Sequence, residues 1–572
     1  MIWTLPYKQG PDSSTISRVS RMSHPSLFRY NKDRAHIVSE VCQRSYSAIL
    51  AETRRNDEEG IEYLLNEAAF QEVERLQNEQ GPEDEIHSIS WWRDISRRLG
   101  EMSESQKRTI LRELAQSYTE DITGSFNPRV YKLATGALPL GLGMLFKAQD
   151  LRQIPLSALN VRKAYKQLRD LSERIVIEGH VDTLRHLAER GTLVFLPTHS
   201  SNMDSILMGW SLYQAGLPPV TYGAGKNLFT NPMTSFFMQN LGAYKVDRRI
   251  KHSLYKELLK TYSQVLLERG YHSLFFPGGT RSRSNEVEDH IKLGLLGTTI
   301  TAYTNGLLSH KNAKPIYICP VTINYNLVLE AESLIRDHLR REGGRRYFLE
   351  DDEFNQFNKV LRFALNTMEM SSTTVMRFGE PMDPFGNPVD RNGTSFDPRG
   401  RPVDPTSYVR KALTGEVCHD ISRDQQYTRH TGECVRRSFL KNTVLMPVHL
   451  VAYVLFELVQ QKFPRWDVYR LLRLAGGEVI ALRQAKAMLE ALIEDLKARE
   501  NREELRLSGF VRDHTCDEIF DEGCTYLRTY HSVPLIEPMM TGVMLNKLDL
   551  LYYYGNRVRS FPVDSAALAP TI

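Results

Sequence analysis

A chain of 572 residues is too long for one compact core, so two to four domains are expected. Its hydrophobic fraction of 41% and charged fraction of 25% are ordinary for globular material. A net charge of +4 is slight for this length; it argues against a nucleic-acid binder and leaves local basic patches to meet anionic lipid, phosphate or an acidic carrier protein.

The first residues, MIWTLPYKQGPDSSTISR, lack a basic region followed by an apolar core, so no signal peptide is expected. From Asn31 to about Ser125 apolar residues recur at three- and four-residue spacing, as in GIEYLLNEAAFQEVERLQNE, and Gly81-Pro82 and Gly100 punctuate a helical, polar region. The apolar stretch Leu133 to Phe146 is too short to span a bilayer and is broken by Pro139. From about Leu156 short apolar runs (Thr192–Leu196, Pro219–Tyr222, Tyr244–Val246, Ser273–Phe276, Ile316–Tyr325) alternate with helix-like stretches, notably Ser253–Arg269 and Lys292–Asn305. That alternation predicts an α/β domain with a mostly parallel central sheet and flanking helices.

Phe378 to Pro405 is rich in turn residues and holds a near-repeat, Asp383 to Asp390 and then Asp397 to Asp404, which reads as an exposed flap of two turn units. Its aspartates lack EF-hand spacing. Tyr408 to about Glu504 is mostly helical, and the segment with Leu550-Leu551-Tyr552-Tyr553-Tyr554 is expected to pack back on the body. Within this region Val444 to Val459 is apolar but carries Pro447, His449 and Glu457; like the earlier stretch it reads as a buried helix or as a segment dipping into one leaflet. The expected organisation is a helical N-terminal domain (1–155), an α/β domain (156–381), a turn-rich linker (382–407) and a helical C-terminal domain (408–572). Six cysteines (Cys42, Cys319, Cys418, Cys434, Cys516, Cys524) without CxxC pairs suit a reducing compartment, with neither a disulfide framework nor a zinc site.

The sharpest local signal is Leu196-Pro197-Thr198-His199-Ser200-Ser201-Asn202-Met203-Asp204. The same His-to-Asp spacing occurs at His419 and Asp424, but in a polar stretch with no strand before it. His199 instead follows the apolar run TLVFLP and leads into SILMGWSLY, a strand-to-helix junction of the kind where open parallel sheets present active groups. On one continuous helix residues five apart point about 140° away from each other. Asp204 can therefore touch His199 only if Ser200-Ser201-Asn202 form a turn. The carboxylate would then hold one imidazole nitrogen and leave the other free to take a proton; the alternative is an Asp that only caps a helix.

A second element, Phe275-Phe276-Pro277-Gly278-Gly279-Thr280-Arg281-Ser282-Arg283-Ser284, ends a strand in a glycine turn that presents two arginines. Arginine's fork of donors suits a phosphate, although a solvated basic loop has the same composition. No P-loop pattern is present. Lys226, after Gly225, and Arg248 and Arg249, after Val246, put further cations at strand ends, and Cys319-Pro320-Val321-Thr322-Ile323 reads as a buried strand.

In this order the four elements resemble the glycerolipid acyltransferase family, over about Leu156 to Pro381. The family's histidine–four residues–aspartate block is matched by His199 and Asp204. Its glycine-aromatic stretch ending in arginines is matched by Gly242, Tyr244, Arg248 and Arg249. Its Gly-Thr-Arg-Ser-Arg turn is matched by Gly279, Thr280, Arg281, Ser282 and Arg283, after Phe276, and its Pro-Val-x-Ile strand by Pro320, Val321 and Ile323. One position departs: Gly278 stands where the family usually has a glutamate, and Glu286 and Glu288 are the nearby carboxylates.

The resemblance implies an acyltransferase, nearest to the large glycerol-3-phosphate and dihydroxyacetone-phosphate types, with glycerol 3-phosphate the first acceptor, dihydroxyacetone phosphate the second and lysophosphatidate the third. It implies His199 as general base, Asp204 as its orienting partner, and Arg281, Arg283, Arg248, Arg249 and Lys226 as phosphate ligands. Gly278, Gly279, Thr280 and Ser282 would serve as oxyanion donors or as a turn. The implied partners are acyl-coenzyme A or acyl carrier protein, glycerol 3-phosphate and a membrane surface at its cytoplasmic face, with no nucleic acid, no metal and no cofactor. A catalytically inactive lipid-binding module and a serine hydrolase are the rivals; no GxSxG elbow surrounds Ser200 or Ser201.

Overall fold

The computed structural model describes residues 26–55, 60–78, 86–136, 175–229, 232–309, 314–342, 373–472, 476–529 and 531–563. Gly81-Pro82, most of the apolar stretch 133–146, the 155/156 boundary and Arg345-Arg346 lie outside the described residues.

The amphipathic N-terminal segments form helices α1 (Tyr30–Arg55), α2 (Ile61–Asn78), α3 (Ile89–Arg98), α4 (Glu104–Ile122) and α5 (Pro128–Gly136). A capping box starts α4: Ser103 accepts from the Gln106 N–H and the Gln106 side chain accepts in return from the Ser103 N–H. Leu65, Leu111, Leu114 and Tyr118 of these helices share one core with Leu258, Tyr262 and Val265. Those last three belong to α9 of the sheet domain, defined below, so the N-terminal helices cover one of its layers.

The sheet domain runs β1 (Ile175–Gly179), α6 (Val181–Arg190), β2 (Thr192–Pro197), α7 (Asp204–Gln214), β3 (Thr221–Gly225), α8 (Pro232–Asn240), β4 (Ala243–Val246), α9 (Ser253–Glu268), β5 (Ser273–Leu274), α10 (Leu293–Leu308), β6 (Ile316–Tyr325), α11 (Ala331–Glu342) and β7 (Thr374–Phe378). The seven strands lie in the order β1-β7-β6-β2-β5-β3-β4. Every pair is parallel except β6 with β7. The mostly parallel sheet predicted from the alternation is therefore present, with β7 and β1 as a reversed pair at one edge. All six residues of β2 and all ten of β6 are buried, as expected for strands covered on both faces. The reading from sequence missed β1 and β7. At the edge β1 is only half-buried, so its apolar run, IVIEG, is short and mixed.

The turn-rich segment departs from an exposed flap of two units. Asp383, Asp390 and Asp397 each accept two backbone N–H groups from within their own turn, and Gly386, Gly393 and Gly400 each take a positive φ of 88, 85 and 75°. The result is three consecutive seven-residue turns. Met382, Phe385 and Val389 are buried, because Phe385 stacks on Tyr408 and meets Tyr303 and Tyr427 edge-on.

The C-terminal region contributes α12 (Ile421–Asn442), α13 (Pro447–Lys462), α14 (Leu482–Asn501), α15 (Cys516–Arg528) and α16 (Leu548–Arg559). Helix α13 is buried from Pro447 to Val459, so the buried-helix reading of that apolar run is the one realised. Its polar residues have internal partners: Glu457 pairs with Arg559 at 2.6 Å, and His449 Nδ1 accepts the Met446 N–H. Helix α16 carries the Leu-Leu-Tyr-Tyr-Tyr run and packs along α13, as expected of a segment folding back. Among the described residues no helix is long and apolar enough to cross a membrane.

Candidate active site

Strands β2 and β5 are neighbours, with Val194 opposite Ser273 and Phe195 opposite Leu274. The loops that leave their carboxyl ends are therefore adjacent. After β2 the chain turns through Ser200-Ser201-Asn202 and re-enters a helix at Asp204. His199 Nδ1 lies 2.8 Å from Asp204 Oδ2, and the same oxygen accepts the N–H groups of Ser200 (2.7 Å) and Ser201 (2.9 Å). Tyr325, the last residue of β6, donates its hydroxyl to Asp204 Oδ1 at 2.5 Å. A fully buried carboxylate thus builds the turn that brings it to the imidazole, as the loop argument required. His199 itself is half-buried and stacks on Phe276 with ring centroids 4.1 Å apart. Burial lowers its pKa below the ordinary histidine value; Asp204 acts against that, while the Arg281 and Arg248 charges act with it. The decoy pair behaves differently: His419 and Asp424 sit 4.0 Å apart at the surface, and His419 also contacts Asn305.

The glycine turn docks on the histidine loop through one backbone bond, Ser282 N–H to His199 C=O at 2.7 Å. The Gly279 N–H is engaged by the Phe276 carbonyl, and Gly279 needs its positive φ of 74°. Gly279 and Ser282 therefore act in the turn, and the oxyanion role does not fit them, because their donors are already bonded. Thr280 accepts from Arg283 at 3.4 Å through its side chain. At Gly278 a Cβ would fall 2.6 Å from Glu288 Oε2. The Glu288 carboxylate occupies that space, and its Oε1 accepts the His199 N–H at 2.5 Å. Burial pushes Glu288 up to about 8. Of the two nearby carboxylates, Glu288 is the one at the site; Glu286 turns to Ser284.

Gly278→Ala is expected to destabilise the fold by about 1–3 kcal/mol, the usual range for overpacking, by displacing Glu288. Adding Glu288→Ala should remove most of that increment. Thermal unfolding of the four proteins checks the cycle; additive losses would mean that the two residues do not contend for one space.

The predicted cations divide into two groups. Burial lowers the pKa of Arg248, Arg283 and Lys292, and neighbouring cations add to it: Arg281 and Arg283 at Arg248, Arg341 and Arg281 at Arg283, and Arg248 and Arg283 at Lys292. Arg281 lies 3.4 Å from Glu330, and Arg283 is hydrogen-bonded to Asp337. Arg248, exposed at its loop, has no hydrogen bond or ion pair among the described residues. Arg249 instead folds back on Asp247 at 2.6 Å, and Lys226, buried, faces Asp121, which it shares with Lys245. The sequence reading missed Lys292, Glu330 and Tyr325, and named Glu288 only as one of two carboxylates near Gly278. Only Lys292 left a signal: a lysine directly preceding an apolar helix, where the helix dipole disfavours a cation. Burial pushes Glu330, which accepts from Ser201 Oγ and the Asn202 N–H, up to about 7. Among the described residues no three His, Cys, Asp or Glu side chains converge as a set of metal ligands.

A mostly parallel sheet with a His–Asp pair off one central strand and a basic turn off the next defines an acyltransferase domain, and residues 179–324 match the Acyltransferase family model. Over that stretch the chain resembles the glycerolipid acyltransferases. Its curated relatives include the glycerol-3-phosphate acyltransferases of Aeromonas hydrophila subsp. hydrophila (28% identical over 284 residues, 49% of this chain and 30% of the relative) and Glaesserella parasuis serovar 5 (35% over 160 residues, 28% of this chain and 19% of the relative). The alignments thus span less than a third of these relatives' length. A similar solved structure is the 1-acyl-sn-glycerophosphate acyltransferase PlsC of Thermotoga maritima, at 14% identity and a TM-score of 0.22, covering 44% of this chain and 83% of that one.

Proposed function

We propose that the chain moves a fatty acyl group from an acyl thioester, carried by coenzyme A or acyl carrier protein, to the sn-1 hydroxyl of glycerol 3-phosphate, with His199 as general base. The 2.8 Å contact between His199 and a fully buried Asp204, set beside mutually repelling cations, carries this reading. The relatives' names supply the acceptor. Nδ1 is held by the carboxylate, so Nε2 is the nitrogen that takes the proton. The acceptor oxygen attacks the thioester carbonyl as its proton passes to Nε2. The tetrahedral intermediate then collapses, the C–S bond breaks, and the imidazolium returns the proton to the thiolate. Asp204 stabilises the imidazolium throughout. An acceptor phosphate among Arg248, Arg281, Arg283 and Lys292 would relieve their mutual repulsion.

Release of free thiol from palmitoyl-coenzyme A, with and without glycerol 3-phosphate, tests the reaction. Acceptor-dependent release is expected; release that ignores the acceptor would mark a hydrolase, and none from a folded sample would mark an inactive module. Arg248→Ala removes the uncommitted guanidinium. Losing one charge-assisted contact of about 1.5–3 kcal/mol should raise KM for glycerol 3-phosphate about ten- to a hundredfold and leave KM for the thioester alone. Equal effects on both substrates would take Arg248 out of the acceptor site. Action at a cytoplasmic membrane surface follows from a lipid product, and Arg340 and Arg341, in the last turn of α11, offer a basic contact. Flotation with anionic vesicles tests that part, and protein left at the bottom would refute it.

A further inference from the structure

We propose that the last helix of the fold, α16, is a working part of the active site, in which Arg557 positions the His199 loop by holding Ser200. This rests on the reading of His199 as the catalytic base. Arg557 is only 3% exposed, and its Nη2 donates to Ser200 Oγ at 3.2 Å. Its Nε is buried with no hydrogen-bond partner. Tyr553, Glu288 and Asp204 act on it by charge, and its own charge helps lower the pKa of buried His449 on α13. Burying a guanidinium costs several kcal/mol, and a well-packed apolar side chain would usually serve stability as well or better. A cation placed there with one donor unmet is poorly explained as packing.

Its neighbours on α16 show what the helix grips. The Asn556 side chain donates to the Ser284 carbonyl at 3.0 Å, and Ser560 Oγ accepts the Val287 N–H at 2.9 Å. One helix face thus holds the basic loop at two points and the histidine loop at a third. The histidine loop is otherwise hung from the sheet domain: the His199 N–H on Glu288, the Ser200 and Ser201 N–H groups on Asp204, and Ser201 Oγ on Glu330. The Ser200 side chain is the point where the C-terminal region takes hold. A displacement of about 1 Å at a catalytic group can cost about a hundredfold in rate, so this tether is in a position to matter.

The test uses the full chain with Arg557→Ala, Arg557→Lys, Ser200→Ala and the combinations with Ser200→Ala. Arg557→Ala is expected to lower kcat about 10- to 100-fold while both KM values stay within about twofold. Removing a cation that interacts with Asp204 and Glu288, the two carboxylates bonded to His199, should also move the acid limb of the pH profile upward. Arg557→Lys keeps the charge and should restore the limb. Ser200→Ala removes only the acceptor hydroxyl; it should lower kcat in the same direction, and either Arg557 substitution should add little in that background. Additive losses, or a fall in kcat no larger than the loss of folded protein in thermal unfolding, would overturn the proposal. If Arg557→Ala does not fold, the Ser200→Ala/Arg557→Lys cycle decides by the same criterion. Carbethoxylation of His199 by diethylpyrocarbonate against pH, read by peptide mass spectrometry, needs no turnover. A midpoint that rises in Arg557→Ala in a protein without acyl transfer would keep the tether and remove the acyltransferase reading. An unmoved midpoint in an active protein would do the reverse.

Discussion

His199→Ala is expected to lower kcat by about 10²–10⁴, or about 3–5 kcal/mol of barrier, with the fold retained. The fold should survive because His199 contributes mainly its stacking on Phe276, whereas the loop is built by Asp204 and the backbone N–H groups around it. Steady-state kinetics beside thermal unfolding checks this, and a His199→Ala protein with wild-type kcat would end the general-base assignment. The wild-type pH profile carries the same assignment. Burial, aided by the Arg281 and Arg248 charges, holds the imidazole below the ordinary histidine value. The neutral, proton-accepting form is therefore dominant at neutral pH. The rate should fall only as pH drops through that lowered value, tenfold per unit on the acid limb.

Asp204→Ala is expected to do more damage to the fold than His199→Ala. It removes the acceptor for His199 Nδ1, two backbone N–H groups and the Tyr325 hydroxyl, all at a site with no exposure. Leaving buried donors unpaired costs about 1–3 kcal/mol each, so a loss of several kcal/mol and of all acyl transfer is expected. Asp204→Asn separates geometry from charge. Its amide oxygen can keep the three donors on one side, while its NH₂ faces Tyr325, whose hydroxyl can turn to accept. The fold should then persist, and kcat should still fall by about 10²–10⁴, because no anion remains to stabilise the imidazolium. Unfolding midpoints and kcat measured together check both variants. An Asp204→Asn protein with near-normal kcat would reduce Asp204 to a structural turn residue.

The cation cluster gives a physical account of why an anion belongs beside His199. Arg248, Arg283 and Lys292 each have their pKa lowered by burial and by neighbouring cations, and among the described residues Arg281 and Arg283 are the members with carboxylates at hand, in Glu330 and Asp337. That leaves an unbalanced positive field at the mouth of the site, where it would both attract a phosphorylated acceptor and hold the histidine neutral.

Local order determined much of this protein. An apolar run ending in a short polar turn was enough to locate His199 and Asp204, because a strand, a turn and a helix start are each encoded by adjacent residues. The continuous run Ile316–Tyr325 likewise announced a strand buried on both faces. The period-seven placement of Asp and Gly from Asp383 to Gly400 was there to be read, and a fourteen-residue comparison saw only every second turn. Tertiary structure alone decided the rest. Glu288, Tyr325, Glu330 and Arg557 reach the His199 loop from positions 89 to 357 residues away in sequence, and nothing in the local context of the last three marks them. The space over Gly278 could be assigned to Glu288 only once the loop had folded back on itself. Arg249 and Lys226 show the converse: their types and spacing suited an anion site, but each is engaged by an aspartate, Asp247 and Asp121, that packing put within reach. Sequence fixes which groups are available along the chain, whereas burial and long-range contact fix which of them remain free to act.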